Sequence, residues 1–402
     1  MISNPHIDLL DGSFYVDNTR EKYAWMRANA PVYFDEPNGV WGIASYDTLL
    51  AMEKDPKTFS NAGGIRPDNG PIPMMIDMDD PEHWKRRKLV NKGFTPRRVR
   101  DSEGKIRDVC DAIIDQVCEK GECDFVHDIA APLPMILIGD MLGVAPEDRD
   151  DLLQWSDDMV SAQSGNATEA QYMKAMDAMT GYTDFCTNAV AQRQSEPTDD
   201  LMSVLVHAEV DGDRLTPDEV LHESLLILVG GDETTRHVIS GGVEQLLLHP
   251  QQRKLLVDDP SKITTAVEEM LRWVTPIKNM CRTVTHDTTF FGQQMSAGQK
   301  CMLLFESANF DEAKFTEPER FNVERDPNEH VAFGFGTHFC LGQALARLEL
   351  NVMIERVLTR LPDLELAADA ASLPRRRANF ISGLESMPVT FAPSKPLLRS
   401  TV

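Results

Sequence analysis

The stretch from Thr216 to Pro250 constrains the fold more than any other part of the chain. Thr216-Pro-Asp-Glu219 reads as a capping box with proline at the first helical position, and an apolar helical pattern continues to Pro250. At 1.5 Å per residue this is a helix of roughly 50 Å, long enough to cross a whole domain. Other elements must pack around it. Its centre, Leu225-Leu-Ile-Leu-Val-Gly230-Gly-Asp-Glu-Thr234-Thr235, carries two glycines, each costing about 1 kcal/mol relative to alanine in a helix. Two explanations stand open. Another helix packs closely there, or something bulky lies against this face and meets Glu233 and Thr234. Asp232 falls about 100° around the helix from Glu233 and reads as a solvent or helix-packing carboxylate.

Further helical patterns run from Arg107 to Val117, Asp148 to Val160 and Ala266 to Trp273. Strand-like pieces occur at Val32–Phe34, Val40–Ile43 and between Cys281 and Leu304. The class expected is mainly α with small β-sheets. No repeat, low-complexity tract or Gly/Ser/Pro-rich linker divides the chain, so residues 1–402 read as a single domain. An apolar fraction of 42% supports a substantial core, and a net charge of −24 excludes a general nucleic-acid binder. The N-terminus shows no signal peptide, and no apolar run approaches the ~20 residues of a membrane span. A cytoplasmic protein without a membrane anchor is expected.

The seven cysteines form no CxxC pair, so reduced thiols are expected, most of them packing and one open to chemistry. That one is Cys340, in Phe333-Gly-Phe-Gly-Thr-His-Phe-Cys340-Leu-Gly, which runs into the helical pattern Gln343–Leu350. The free amides of a helix start favour an anion, so a thiol placed there is readily a metal-binding thiolate. Gly334-Phe-Gly336 fails as a dinucleotide fingerprint because Phe339 fills the third glycine position. A Cys340–His338 nucleophile pair is weak, since neighbours on one loop rarely align for proton transfer.

With these flanks, the cysteine loop resembles that of the cytochromes P450. The resemblance extends from Asp8 to about Pro393 and includes Ala308-Asn-Phe-Asp311, Phe315, Pro318, Phe321, Arg325 and His330. It implies a cytochrome P450 fold, with the long helix over a buried haem b held by Cys340. Glu233 and Thr234 then stand as the acid and alcohol that manage protons, with Glu in place of the commoner Asp. Glu269-Met-Leu-Arg272, placed 71 residues before Cys340, matches the family's structural Glu-x-x-Arg brace. In Asp80-Pro-Glu-His83-Trp-Lys-Arg-Arg87, Asp80 reads as a cap that places His83 and Arg87 on one face. The resemblance assigns His83, Arg87, Arg282 and His338 to the haem propionates, with Phe333 beside the haem.

His83 to Arg100 contains eight Lys/Arg and no carboxylate. Local positive charge on an acidic protein suits an acidic redox partner. The resemblance implies electrons from a ferredoxin, supplied by NAD(P)H through a reductase, and Lys85, Arg86, Lys88, Arg97 and Arg98 form the expected docking face. More particular stretches, such as Asn61–Pro67, Pro73–Pro81, Ile227–His237 and Asn379–Ser386, are similar to the mycobacterial steroid 26-monooxygenases. They imply O2-dependent hydroxylation of the terminal methyl of the cholesterol or cholest-4-en-3-one side chain, with further oxidation to the acid. Ile76, Met75, Val160, Leu226, Gly230, Met280 and Phe380 are the expected pocket residues. Alternatives are a monooxygenase of another long apolar lipid, such as a branched fatty acid, and a haem-binding sensor or carrier.

Overall fold

A computed structural model describes residues 5–162 and 167–397. The long helix spans Pro217–Leu248, and both halves of its capping box form: Thr216 Oγ1 accepts from the Glu219 N–H, and Glu219 returns the contact. Its two halves serve two cores. Val220, Leu225, Ile227 and Leu228 pack with Met135, Ile138 and Leu142 of the helix Pro132–Leu142 and with Tyr182 and Cys186 of the helix Glu169–Ser195. Val238, Ile239, Val243 and Leu246 pack with Ala266, Val267 and Met270 of the helix Ile263–Val274 and with Leu350, Met353 and Ile354 of the helix Gln343–Arg360. Each fully buried leucine, isoleucine or methionine contributes about 1.5–3 kcal/mol, so tertiary burial outweighs the glycine cost at the helix centre.

Strands are few and small. The largest sheet orders Val32–Asp35, Val40–Ile43, Lys300–Leu304, Asn279–Val284 and Phe59–Ser60 side by side. Lys300–Leu304 runs parallel to Val40–Ile43 and antiparallel to Asn279–Val284, pairing Met302 with Cys281. That register puts Arg282 at the inner end of the sheet, beside Glu53, whose carboxylate accepts from it at 2.7 Å. The fold is mainly α with small sheets, in agreement with the sequence reading. Among the described residues, no helix is long and apolar enough to cross a membrane.

Candidate active site

One apolar cavity lies between the centre of the long helix and the cysteine loop, and Cys340, Thr234, His83, Arg87, Arg282, Phe333 and His338 all line it. The loop is shaped by Gly334 and Gly336 at φ +69° and +70°, a region that side chains other than glycine rarely adopt. The Cys340 N–H donates to the Phe333 carbonyl at 2.9 Å, while the sulfur accepts from the N–H groups of Gly342 and Gln343 at the start of the following helix. The expected easy thiolate needs correction. Burial pushes the Cys340 thiol above its usual range, outweighing those donors and the charges of Arg87 and Arg347. A bound metal ion would favour this sulfur as an anion.

The two helix glycines do different things. A Cβ at Gly231 would lie 2.7 Å from Ile138, so Gly231 permits close helix packing; a Cβ at Gly230 would meet nothing within 4 Å. Gly230 is the notch, and Gly334 and Gly342 open onto the same space. Thr234 lines the cavity, its hydroxyl donating to the Gly230 carbonyl at 2.8 Å. Glu233 faces away from it. Its buried carboxylate is bonded by Arg236, by Arg376 at 2.6 Å and approached by His237 at 3.4 Å. Burial alone would raise its pKa, but the bond with His237 and the charges of Arg236 and Arg376 hold it well below the usual carboxylate range. The expectation that Glu233 meets the bound group is thereby corrected. Asp232 is not solvated: both carboxylate oxygens are buried without a hydrogen-bond partner, and burial pushes it up to about 7.

A carboxylic acid that the sequence reading missed does reach the cavity. Glu349, on the helix after Cys340, lines it with one oxygen unpartnered, and burial first, then the charge of Asp232, pushes it up to about 8. No signal in the sequence distinguishes it from a solvated helix residue.

The donors on the cavity wall suit a large anionic planar group. His83 and His338 stack with centroids 4.1 Å apart, and the buried His83 Nε2 has no partner. Burial first, then the neighbouring His83, Arg282 and Arg87, pushes His338 down to about 2, and an anion bound beside this cluster would oppose that shift. Asp80 does not cap the helix Glu82–Val90; its carboxylate instead contacts His83 Nδ1 at 3.2 Å. Thiolate ligand, glycine-edged gap and cationic rim together fit a haem with two propionates. Among the described residues, no group of three or more His, Cys, Asp and Glu could hold a metal ion.

Glu269 and Arg272, the expected brace, pair with each other. Both are fully buried, and Arg272 Nε and Nη2 donate to Glu269 at 2.8 Å. Glu269 also accepts from Asn322, Arg325 and Asn328, while Arg272 reaches the carbonyls of Asn309 and Pro318. The adjacent Glu268 adds a second tie, unforeseen in the sequence, to Arg347 at 2.6 Å and His330 at 3.1 Å.

Met75, Ile76, Leu226, Gly230 and Met280 line the cavity. Val160 and Phe380 do not; they pack with Ile65 and Ile381 as a layer behind Ile76 and Met280. Of the expected docking cations, Lys85, Arg97 and Arg98 are exposed and Lys88 is half-buried. Arg86 is withdrawn from that face, because its guanidinium is bonded to Glu219 and Glu223 of the long helix.

Residues 262–367 match the family model described as Cytochrome P450. The chain is 60% identical over 398 residues to a Steroid C26-monooxygenase of Mycobacterium tuberculosis, covering 99% of this chain and 100% of that one. It is 58% identical to the Steroid C26-monooxygenase of Mycolicibacterium smegmatis, covering 99% of each. Among solved structures, the cytochrome P450 PksS of Bacillus subtilis superposes with a TM-score of 0.89 at 32% identity, covering 96% of this chain and 100% of that one.

Proposed function

The chain belongs to the cytochrome P450 family, and on that premise we propose that it oxidises the C26 terminal methyl of a steroid side chain. It is a haem-thiolate monooxygenase, and its carrying observation is Cys340 facing Thr234 across one apolar cavity. When bound, the haem supplies oxygen activation, with O2 as co-substrate and electrons from a redox partner. The chain's own residues do the rest. Cys340 offers the sulfur ligand, and the N–H groups of Gly342 and Gln343 stabilise its negative charge. His83, Arg87, Arg282 and His338 supply the donors for the propionates. Phe333 packs the cysteine side, under the Arg347 guanidinium at 4.6 Å. Thr234 holds a hydroxyl where a proton is needed, and Glu233 anchors the helix behind it through Arg236 and Arg376.

The wall of Met75, Ile76, Leu226 and Met280 excludes water and offers a side-chain methyl no hydrogen bond, so orientation comes from shape. A ferredoxin is the electron donor in this reading, reduced by NAD(P)H through a reductase in the cytoplasm. The whole chain acts as one domain, supported by the single helix that both cores share.

The test is reconstitution with ferredoxin and reductase on cholest-4-en-3-one, cholesterol and a methyl-branched fatty acid. A sterol-induced spin-state shift and a C26 alcohol or acid by mass spectrometry are expected. Turnover of the fatty acid with no sterol product would transfer the function to another apolar lipid. Binding of haem with no product from any of them would make the protein a sensor or carrier.

A further inference from the structure

Arg86 occupies the inner side of its helix, between the cavity wall and the start of the long helix. Its Nη1 donates to the Pro73 carbonyl at 2.9 Å and to Glu223 Oε1 at 3.2 Å, and its Nη2 pairs with Glu219. Glu219 is also the capping-box carboxylate, accepting from the Thr216 N–H at 2.8 Å. Glu223 is completely buried, and the oxygen that meets Arg86 also accepts the Met75 N–H at 2.8 Å. Its other oxygen has no hydrogen-bond partner. Pro73 to Met75 is therefore tied to the first turns of the long helix through one guanidinium and one buried carboxylate.

The other polar contacts of this loop are made within it, to the sheet, where the Cys281 N–H donates to the Ile65 carbonyl at 2.7 Å, and to the cysteine loop, where His338 meets the Met78 backbone. Asp77 accepts from the N–H groups of Ile65 at 2.9 Å and Ile72 at 2.8 Å, and Asn61 donates to the Ile76 carbonyl at 2.9 Å. None of these contacts reaches the long helix. Met75 and Ile76 line the cavity on one side, and Leu226 and Gly230 line it from the helix. Arg86 and Glu223 supply the polar contacts that join this wall directly to the long helix.

We propose that Arg86 and Glu223 form a clamp that positions the Met75–Ile76 wall against the long helix and so sets affinity and selectivity for the steroid side chain. The proposal rests on the steroid reading above. Neither residue lines the cavity, so both act through the wall as positioning residues. Charge adds to the clamp: burial pushes Glu223 up to about 7 against the pull of Arg86, and when it is ionised its contact with the guanidinium is stronger than a neutral hydrogen bond, so loss of one partner leaves the other uncompensated.

Arg86→Gln, Arg86→Lys and Glu223→Gln test this in the haem-loaded protein, the last retaining a carbonyl for the Met75 N–H. Hydrogen exchange of the Pro73–Asp77 peptide reads the clamp without any ligand. Spin-state titration with cholest-4-en-3-one, and in parallel with a methyl-branched fatty acid, reads the wall. Imidazole, which needs iron but no apolar slot, is the control. In Arg86→Gln, exchange is expected to quicken and the steroid Kd to rise about tenfold, the size of one lost charge-assisted bond, with imidazole affinity unchanged. Arg86→Lys and Glu223→Gln should fall between that variant and wild type.

Unchanged exchange overturns the clamp. Faster exchange with an unchanged Kd for the ligand that wild type binds overturns its role in selectivity. If wild type binds the fatty acid and no steroid, the steroid reading fails while the exchange result still decides the clamp.

Discussion

Gly230 and Gly231 are neighbours with opposite constraints. A methyl at Gly231 must displace Ile138, which is 2.7 Å away, and overpacking of this kind costs about 1–3 kcal/mol. A methyl at Gly230 projects into open space, where helix propensity alone would favour it by about 1 kcal/mol. In the haem-loaded protein, Gly231→Ala should therefore lower the melting temperature, while Gly230→Ala should keep it and weaken steroid binding. Equal effects of the two on stability would show that the notch is not built as described. Thr234→Ala tests the neighbouring hydroxyl. It should leave the melting temperature near wild type while diverting NADH oxidation from product into peroxide, and tight coupling in that variant would remove Thr234 from proton handling.

At the scale of elements, what was legible is what lies close in sequence. The capping box at Thr216 and the Glu269–Arg272 pair are each contained within one helical turn and are seen as contacts, while the cysteine loop lines the cavity with its thiol raised by burial. Contacts made across the chain were not legible. Arg376 reaches Glu233 from 143 residues away and turns it from the cavity, and Arg347 reaches Glu268 from 79 residues away. Helix periodicity places a carboxylate on a face but does not say which cation the fold brings to it. The Glu268 tie makes a prediction about the brace. Burial opposes ionisation, yet bonds from His330 and Arg347 lower Glu268 from 4.5 to about 2. A depressed carboxylate stabilises the fold above its unfolded pKa and loses that contribution as pH falls toward its folded one. With the carboxylate 23% exposed, solvent screening keeps the contribution below the ~3 kcal/mol that the shift implies. Glu268→Gln should lower the urea midpoint most at pH 7, and its gap from wild type should close as pH drops below 4.5. A gap independent of pH would mean that packing, not charge, holds this element.

For the molecule as a whole, the question is how a chain with net charge −24 would receive the acidic electron donor proposed for it. The long-range field repels such a partner, so productive encounter needs a local exception. The segment from Lys85 to Arg100 provides one, weaker than its composition suggests. Arg86 and Arg87 turn inward, to the clamp and the cavity. Lys85 meets Glu82 at 3.0 Å, Arg97 meets Asp101 at 3.5 Å and Lys88 meets Asp211 at 3.8 Å. Exposed pairs of this sort are worth about 0–1 kcal/mol and dissolve readily when a better anion arrives. Arg98 donates to the Asp199 carbonyl at 3.1 Å and not to a carboxylate, so among the expected docking cations its charge is the least neutralised. Arg98→Glu should accordingly slow ferredoxin-driven reduction at low ionic strength and flatten its salt dependence, with wild type and variant converging once salt screens both. Because Arg98 shares no partner with the Arg86 clamp, steroid affinity should not change in this variant. An unaltered salt slope for Arg98→Glu would place the electron donor on another face.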